Sequence, residues 1–311
     1  MSFATDVKAE LLRVESAKHC CMRAQLAAVL RMSGDFVIKE GRAGINFNTE
    51  NAALARQVLK TVKTQFYAAT EVVVTRSTKL KKTNRYQIKI IPTPEALSLI
   101  EQLHLNLNND GRLERTLLLT ACCRKAFLRG AFLASGSVNK PESDYHLEIV
   151  SSNENFAHTI LRLMKYFDLN AKMVDRKQEY IVYLKEGDAV TGFLSVIGAH
   201  NCLMDFENVR IVKQLRNQAN RITNCETANI DKTIKAAVRQ VAGIKYLQKM
   251  GVFENLPYKL KNIAELRLQY PESNLTELAS LYHSNISKSG LNHRLKKLEI
   301  MANELGMENI E

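Results

Sequence analysis

The chain lacks the long apolar segments that mark membrane and secreted proteins. Its 311 residues contain no uninterrupted apolar run of about eighteen, the length a membrane-spanning helix needs. The first fifteen residues, MSFATDVKAELLRVE, carry acids where a signal peptide would need an apolar core. We therefore expect a cytoplasmic protein with no membrane partner.

Histidine is scarce, and the cysteines are not spaced as metal ligands usually are. The six cysteines include no C-x-x-C pair, and there are only seven histidines. These features argue against a disulfide framework and against a zinc site. Adjacent cysteines cannot readily ligate one tetrahedral ion together, and cysteine is often simply a buried residue. We expect buried structural thiols, no metal and no cofactor.

Acidic residues are fewer than basic ones, and the imbalance is concentrated in the N-terminal half. The chain has 44 Lys and Arg against 32 Asp and Glu, a formal charge of +12. Between Arg56 and Lys89 there are nine cations and one acid, Glu71, whereas the residues from Glu226 onwards carry only +2. Such a charge suits a polyanionic partner, although many basic proteins bind nothing anionic.

One stretch of the chain occurs twice. Cys20–Phe36, CCMRAQLAAVLRMSGDF, and Cys122–Val138, CCRKAFLRGAFLASGSV, are identical at six of seventeen positions. The long separation indicates a duplicated half-domain. Small residues at helical spacing would let the two helix backbones approach closely; these are Ala24, Ala28 and Met32 in the first and Ala126, Gly130 and Ala134 in the second. We expect the helices to pack at a pseudo-twofold axis, the alternative being two core helices that never meet.

Each half, about 1–105 and 110–200, is predicted to have the order αββαββα. In the strand Arg85–Ile91, apolar and polar residues alternate, which predicts one buried face and one wet, cationic face. Two four-stranded sheets attached to the helix pair would form a saddle over residues 1–210. The fold class is therefore α+β, with residues 211–225 as a polar connector to a small all-α domain.

The C-terminal part, 226–311, is predicted to be a helix-turn-helix domain. A helix starting at Thr227 or Asp231 runs to Lys249. The motif spans about Leu275–Asn303, with its turn at 283–285 and its last helix capped by Ser287. The apolar stripe of that last helix is Leu291, Leu295 and Leu298.

Two sets of polar residues are candidates for binding DNA. The last helix presents side chains suited to phosphates and base edges in a major groove, namely Lys288, Ser289, Asn292, His293, Arg294, Lys296 and Lys297. The basic hairpin of the first half offers phosphate contacts from Arg76, Lys79, Lys81, Lys82, Arg85 and Lys89. The alternatives are a merely solvated helix face and cations that keep edge strands from associating.

The run LRGAFLASGS resembles a degenerate helix of the LAGLIDADG homing endonucleases, whose halves share the αββαββα order. That resemblance implies a metal-binding acid just before the terminal glycine of each helix. Ser33 and Ser135 occupy those places, and a neutral hydroxyl is a poor sole ligand for Mg²⁺. Asp35 lies beyond Gly34, but its counterpart is Ser137. We therefore expect no catalytic residues and no nuclease activity.

The whole chain resembles the WhiA family, through SFATDVKAELL near its start and LRNQANRITNCETANIDKT at 215–233. The resemblance implies a bacterial, nucleoid-associated transcription regulator of cell division and chromosome segregation, and of sporulation in sporulating relatives. Its implied partners are double-stranded DNA and other division or transcription proteins. Two alternatives remain open at this point: a metal-dependent endonuclease, and a protein-binding adaptor for division or chromosome organisation. The sequence carries no signal of oligomeric state.

Overall fold

The computed structural model describes residues 2–14, 18–76, 84–105, 116–177, 179–282 and 286–307. The chain forms two compact units, Met1–Lys213 and Gln214–Glu311. Among the described residues, no helix is both long enough and apolar enough to cross a membrane.

The first unit contains two halves with the same order of elements. The first half comprises α1 (Phe3–Leu11), α2 (His19–Ser33), β1 (Gly34–Lys39), β2 (Arg42–Thr49), α3 (Ala52–Phe66), β3 (Thr70–Arg76), β4 (Asn84–Ile90) and α4 (Pro94–Gln102). The second comprises α5 (Ala121–Ser135), β5 (Gly136–Val138), β6 (Leu147–Ser151), α6 (Glu154–Tyr166), β7 (Lys172–Arg176), β8 (Glu179–Leu184) and α7 (Gly187–Ile197). From α2 and from α5 onwards, both halves therefore show the predicted αββαββα order.

Each half builds one antiparallel sheet of four strands with the same topology. The first sheet has the strand order β1-β2-β4-β3, and the second has β5-β6-β8-β7. Both central helices lead straight into the first strand of their sheet, since Ser33 ends α2 and Gly34 begins β1. Ser135 and Gly136 form the same junction between α5 and β5.

The first sheet has one apolar face and one polar face, as the alternation in β4 predicts. Ile88 and Ile90 are 1% and 2% exposed, and they lie opposite Phe47 and Ile45 of β2. Arg85 is exposed. Because opposed residues share a face, one apolar layer joins the core while the other side of the sheet remains polar.

The packing of α2 against α5 holds the two halves together. Ala24, Ala28 and Ala126 are 0–1% exposed. A Cβ on Gly130 would stand 2.9 Å from the Ala28 Cβ and closer still to the carbonyl oxygen of Gln25. The helices therefore meet as predicted, with backbones too close for any side chain at Gly130.

A single 50-residue helix, α8 (His200–Lys249), contains the boundary between the units. The prediction of a helix beginning at Thr227 or Asp231 was wrong, because α8 already runs through the stretch predicted as a connector. Its sequence contains no proline and only one glycine, Gly243. Polar Arg, Gln and Asn side chains are tolerated in a helix, so the polarity that indicated a connector does not interrupt it.

The second unit continues with α9 (Tyr258–Gln269), α10 (Leu275–Leu281) and α11 (Lys288–Glu304), preceded by a short 3₁₀ turn at Phe253–Asn255. It has its own apolar core. Ile244 and Leu247 of α8, Ile263 of α9 and Leu278 of α10 are each 1% exposed or less, and they belong to this core. The last helix is thus fixed by three neighbouring helices.

We expect Gly130→Ala to destabilise the first unit by about 1–3 kcal/mol, because the added methyl group overpacks a backbone contact. This loss should occur although alanine is the better helix former by about 1 kcal/mol. Denaturant unfolding followed by circular dichroism would measure it. The matched control is Gly243→Ala, where the nearest atom to a new Cβ lies 3.6 Å away. Equal stability of both variants would contradict a tight contact at Gly130.

Candidate nucleic-acid interface

The last helix, α11, begins at a well-defined cap. The Ser287 side chain accepts a hydrogen bond from the backbone N–H of Gly290, with 3.1 Å between the heavy atoms. Ser287 Oγ also lies 3.0 Å from Ser289 Oγ. Serine is among the preferred N-cap residues because it satisfies an otherwise free amide. The predicted capping residue is confirmed, and it fixes where the helix presents its first side chains.

Helix α10 is fixed by a reciprocal cap at its start. The Asn274 side chain accepts hydrogen bonds from the N–H groups of Thr276 and Glu277. The Glu277 carboxylate in turn accepts one from the backbone N–H of Asn274, at 3.0 Å. Such a capping box satisfies the backbone N–H of the N-cap residue as well as N–H groups of the first helical turn. The start of α10 is therefore locally determined by a few residues of sequence.

One stripe of α11 is buried, and this orients the rest of the helix. Leu291, Leu295 and Leu298 are 0–1% exposed, as predicted, and Ala302 continues the stripe. These residues pack in the core of the second unit. The opposite face must point to solvent, because the stripe recurs every three to four residues.

The predicted DNA-facing residues divide into exposed side chains and one anchored side chain. Six of the seven are exposed, namely Lys288, Ser289, Asn292, His293, Lys296 and Lys297. Arg294 is half-buried, and its Nη1 donates a long hydrogen bond of 3.5 Å to the hydroxyl of Tyr282, just after α10. The structure thus gathers a polar surface on one helix, while Arg294 also connects that helix to the end of α10. The predicted turn, 283–285, lies outside the described residues.

Arg267 of α9 is a buried cation that the sequence reading missed. It is 2% exposed, and its Nη1 donates to the carbonyl oxygens of Ser273 at 2.6 Å and Tyr270 at 3.5 Å. Burial lowers the pKa of the guanidinium, which nonetheless stays charged. The residue therefore holds the segment that leads into α10. Arg267 lies on the apolar side of α9, three and four residues after Ala264 and Ile263. That helical spacing indicates a buried position and could have identified Arg267 from the sequence.

In the described part of the basic hairpin, one of the predicted phosphate-binding cations lies opposite an acid. Arg76 and Arg85 are exposed, whereas Lys89 is half-buried and lies opposite Glu71 of β3 in the sheet. Lys79, Lys81 and Lys82, the other predicted phosphate contacts, lie outside the described residues. Among the described positions, the strand pairing therefore leaves Arg76 and Arg85 as the cations best placed to meet a phosphate.

The two serines at the expected acid positions are both half-buried. The hydroxyl of Ser135 donates to the backbone carbonyl of Val150 at 2.7 Å, which ties the end of α5 to β6. Asp35 is exposed and accepts a hydrogen bond of 3.4 Å from the Asn48 side chain. The Ser135 side chain thus stabilises the junction of helix and sheet, whereas Asp35 contacts the neighbouring strand β2.

The cysteines differ from their predicted burial. All six are free thiols, of which Cys21, Cys123 and Cys202 are buried, as expected. Cys20 and Cys225 are exposed, so for these two the expectation was wrong. Cys20 lies in the first turn of α2, and Cys225 lies in a stretch of α8, residues 214–235, in which every residue is exposed. Cysteine's general preference for burial does not reveal either position.

The chain matches three family profiles that together span most of its length. They are described as the WhiA N-terminal LAGLIDADG-like domain over residues 19–106, the WhiA LAGLIDADG-like domain over residues 124–216 and the WhiA C-terminal HTH domain over residues 219–302. The last range includes α10 and all but the final two residues of α11. The predicted fold class, with its C-terminal helix-turn-helix domain, is confirmed.

Similar proteins cover nearly the whole chain. A protein of Bacillus subtilis (strain 168) named "Probable cell division protein WhiA" is 44% identical over 310 residues, which are 98% of this chain and 97% of that protein. One of the same name from Heliobacterium modesticaldum is 44% identical over 307 residues, 97% and 96% of the two chains. The crystal structure of full-length DUF199/WhiA from Thermatoga maritima superposes with a TM-score of 0.59 at 23% identity, covering 100% of both chains, and so shares the fold.

We expect Arg267→Met to loosen the start of α10, because it removes the donor to the Ser273 carbonyl. A hydrogen bond from a charged group contributes about 1.5–3 kcal/mol, so amide exchange in residues 270–282 should accelerate about tenfold or more. Hydrogen–deuterium exchange measured by mass spectrometry would show it. Lys259→Met, at an exposed position of the same helix, is the control and should change nothing. Unchanged exchange in the Arg267 variant would show that the side chain does not hold this segment.

Proposed function

This chain belongs to the WhiA family, and we propose that it is a DNA-binding transcription regulator of cell division whose helix α11 reads base sequence. The observation that carries the proposal is the exposed polar face of α11, set opposite a buried leucine stripe and behind a capped start. His293 lies opposite the leucine stripe, and Asn292 is exposed on the flank of the same face. An amide or an imidazole there can pair with base edges, whereas lysine ammonium groups bind phosphates.

The first sheet has a separate role in this proposal, as a surface that binds the DNA backbone. Arg76 and Arg85 are exposed, and the formal charge of the chain is +12. Phosphate contacts raise affinity for all sequences alike and make it depend on salt. In this proposal, the domain at residues 1–210 binds the DNA backbone, and the domain at residues 226–311 reads base sequence.

The same family membership supports a wider role, which we include in the proposal. The curated relatives carry the name of a cell division protein. A regulator of division genes in the cytoplasm, associated with the nucleoid, would also affect chromosome segregation, and sporulation in those relatives that sporulate. Double-stranded DNA is the partner required by this function, and further division or transcription proteins would act with it.

Nuclease activity is not part of the proposed function. A hydroxyl group replaces the acid at Ser33 and at Ser135, and the Ser135 hydroxyl is already used in donating to Val150. Mg²⁺ prefers carboxylate oxygens and water, so neither serine offers the charge that the metal needs. The alternative of a protein-binding adaptor makes a different prediction, because in an adaptor α11 need not prefer any DNA sequence.

We expect His293→Ala, and separately Asn292→Ala, to relax sequence preference at a cost of about 1–3 kcal/mol on specific DNA. The reason is that each variant removes a base contact and leaves the phosphate contacts in place. Sites selected from genomic fragments by the wild-type protein would serve as the specific DNA, and affinities would be measured against a scrambled duplex over a range of salt concentrations.

The contrasting variant is Arg76→Ala combined with Arg85→Ala. It should weaken binding to both duplexes alike and reduce the dependence of affinity on salt. Lys249→Ala combined with Lys259→Ala, which removes two exposed cations outside the sheet, is the charge-matched control. Equal losses on both duplexes from the α11 and the sheet variants would refute this division of roles. Wild-type affinity and selectivity in the α11 variants would favour the adaptor.

We expect no metal-dependent cleavage of plasmid DNA by the wild-type protein in Mg²⁺ or Mn²⁺. The physical reason is the missing pair of carboxylates at the ends of α2 and α5. Agarose gel electrophoresis of supercoiled plasmid after prolonged incubation would detect nicked or linear products. Linear DNA with defined ends that forms only with metal would restore the endonuclease interpretation, provided that the cleavage activity stays with the protein through purification.

A further inference from the structure

Four cysteines meet at the start of the two central helices. Cys20 and Cys21 are the second and third residues of α2, and Cys122 and Cys123 are the second and third residues of α5. Their four Sγ atoms all lie within 4.8 Å of one another. Neighbouring cysteines on one helix could not by themselves surround an ion, but here each pair faces a second pair across the pseudo-twofold axis. The four sulfurs together can therefore surround one ion although the chain has no C-x-x-C pair.

The spacing of the sulfurs fits a single tetrahedral ion. Zinc bound by four thiolates has Zn–S distances of about 2.3 Å, so the sulfurs stand about 3.8 Å apart. The cluster needs a contraction of about 1 Å at most to reach that geometry. Within the described part of the chain, these cysteines are also the one group of three or more His, Cys, Asp and Glu side chains close enough to share an ion.

The ends of the two helices place partial positive charge beside the sulfurs. Neither helix has an acid in its first turn, and neither N-cap residue, Lys18 or Thr120, accepts a hydrogen bond from that turn through its side chain. Two helix N-termini, each with partial positive charge and amides without a side-chain acceptor, thus converge on the sulfurs. Thr120 Oγ1 lies 3.2 Å from the Cys122 Sγ, where its hydroxyl can donate to a thiolate.

We propose that Cys20, Cys21, Cys122 and Cys123 bind one Zn²⁺ ion, which joins the starts of α2 and α5. The four thiols release four protons on binding, and the resulting complex carries a net charge of −2, which the two helix N-termini stabilise. Thiolate ligands select zinc over magnesium or calcium. Cys21 and Cys123 are buried, whereas Cys20 is exposed and Cys122 half-buried, so the ion can enter from the solvent side.

Zinc binding explains the arrangement better than disulfide formation does. A disulfide would join two sulfurs, remove two electrons and require an oxidant, whereas zinc binding uses all four thiols and requires none. The proposed ion has no open coordination position, so its role is structural. It would fasten the two halves at one end of the helix pair, while the contact at Gly130 holds them further along.

The test begins with untagged wild-type protein, in which metal content is measured by inductively coupled plasma mass spectrometry. We expect about one zinc ion per chain. Replacement by Co²⁺ should give thiolate-to-metal charge-transfer bands and the visible bands of tetrahedral cobalt. Chelation of the zinc should lower the denaturant midpoint of the full-length protein. Protein with reduced thiols that binds neither ion, or that contains iron instead, would overturn the proposal.

Two variants separate a specific site from adventitious binding. Cys20→Ser removes an exposed ligand, and we expect at least a tenfold loss of zinc affinity with no change in helix content. Cys225→Ser removes an exposed cysteine outside the cluster and should keep full zinc content. Equal zinc affinity in both variants, measured by competition with a chelator, would overturn the proposal, as would intact-mass evidence of disulfides within the cluster in freshly purified, zinc-supplemented protein.

Discussion

The close contact between α2 and α5 is the constraint on which the first unit depends. Both helices must bring small residues to the same place, and at Gly130 no side chain fits between the backbones. Each helix leads directly into its sheet, so the position of one backbone fixes the position of four strands. Packing of this kind tolerates little change in volume, because interiors are already close to crystal density. The duplication thus fixes both the fold and its symmetry.

In the second unit, the helices are fixed by several local interactions instead of one close backbone contact. Its last helix is held by a leucine stripe, by a serine cap and by a capping box on the helix before it. Arg267 adds hydrogen bonds to the segment leading into α10. These are local interactions of modest size that agree with one another, which is how a short helical domain specifies one arrangement. Six of the seven polar side chains proposed to bind DNA stay exposed, because the leucine stripe packs on the other side of α11.

Much of this could be predicted from the sequence, and the failures share a physical cause. The paired helices, the alternation in β4 and the leucine stripe of α11 are repeating patterns, and patterns report which face is buried. The start of α8 was missed because a long polar helix carries no such pattern. Arg267 and the four-cysteine cluster were missed because they depend on residues brought together in three dimensions. Adjacent cysteines look unsuited to metal until the second pair is placed beside them.

The direct junctions at Ser33–Gly34 and Ser135–Gly136 restrict how the chain can change in length. An α-helix turns about 100° per residue and a strand reverses its face with each residue. One residue inserted at either junction would rotate the helix relative to the sheet, or exchange the apolar and polar faces of β1 or β5. A connecting loop would absorb such a change, but neither junction has one. Insertions and deletions must therefore accumulate elsewhere, and alignments of related chains should be free of gaps at these two points.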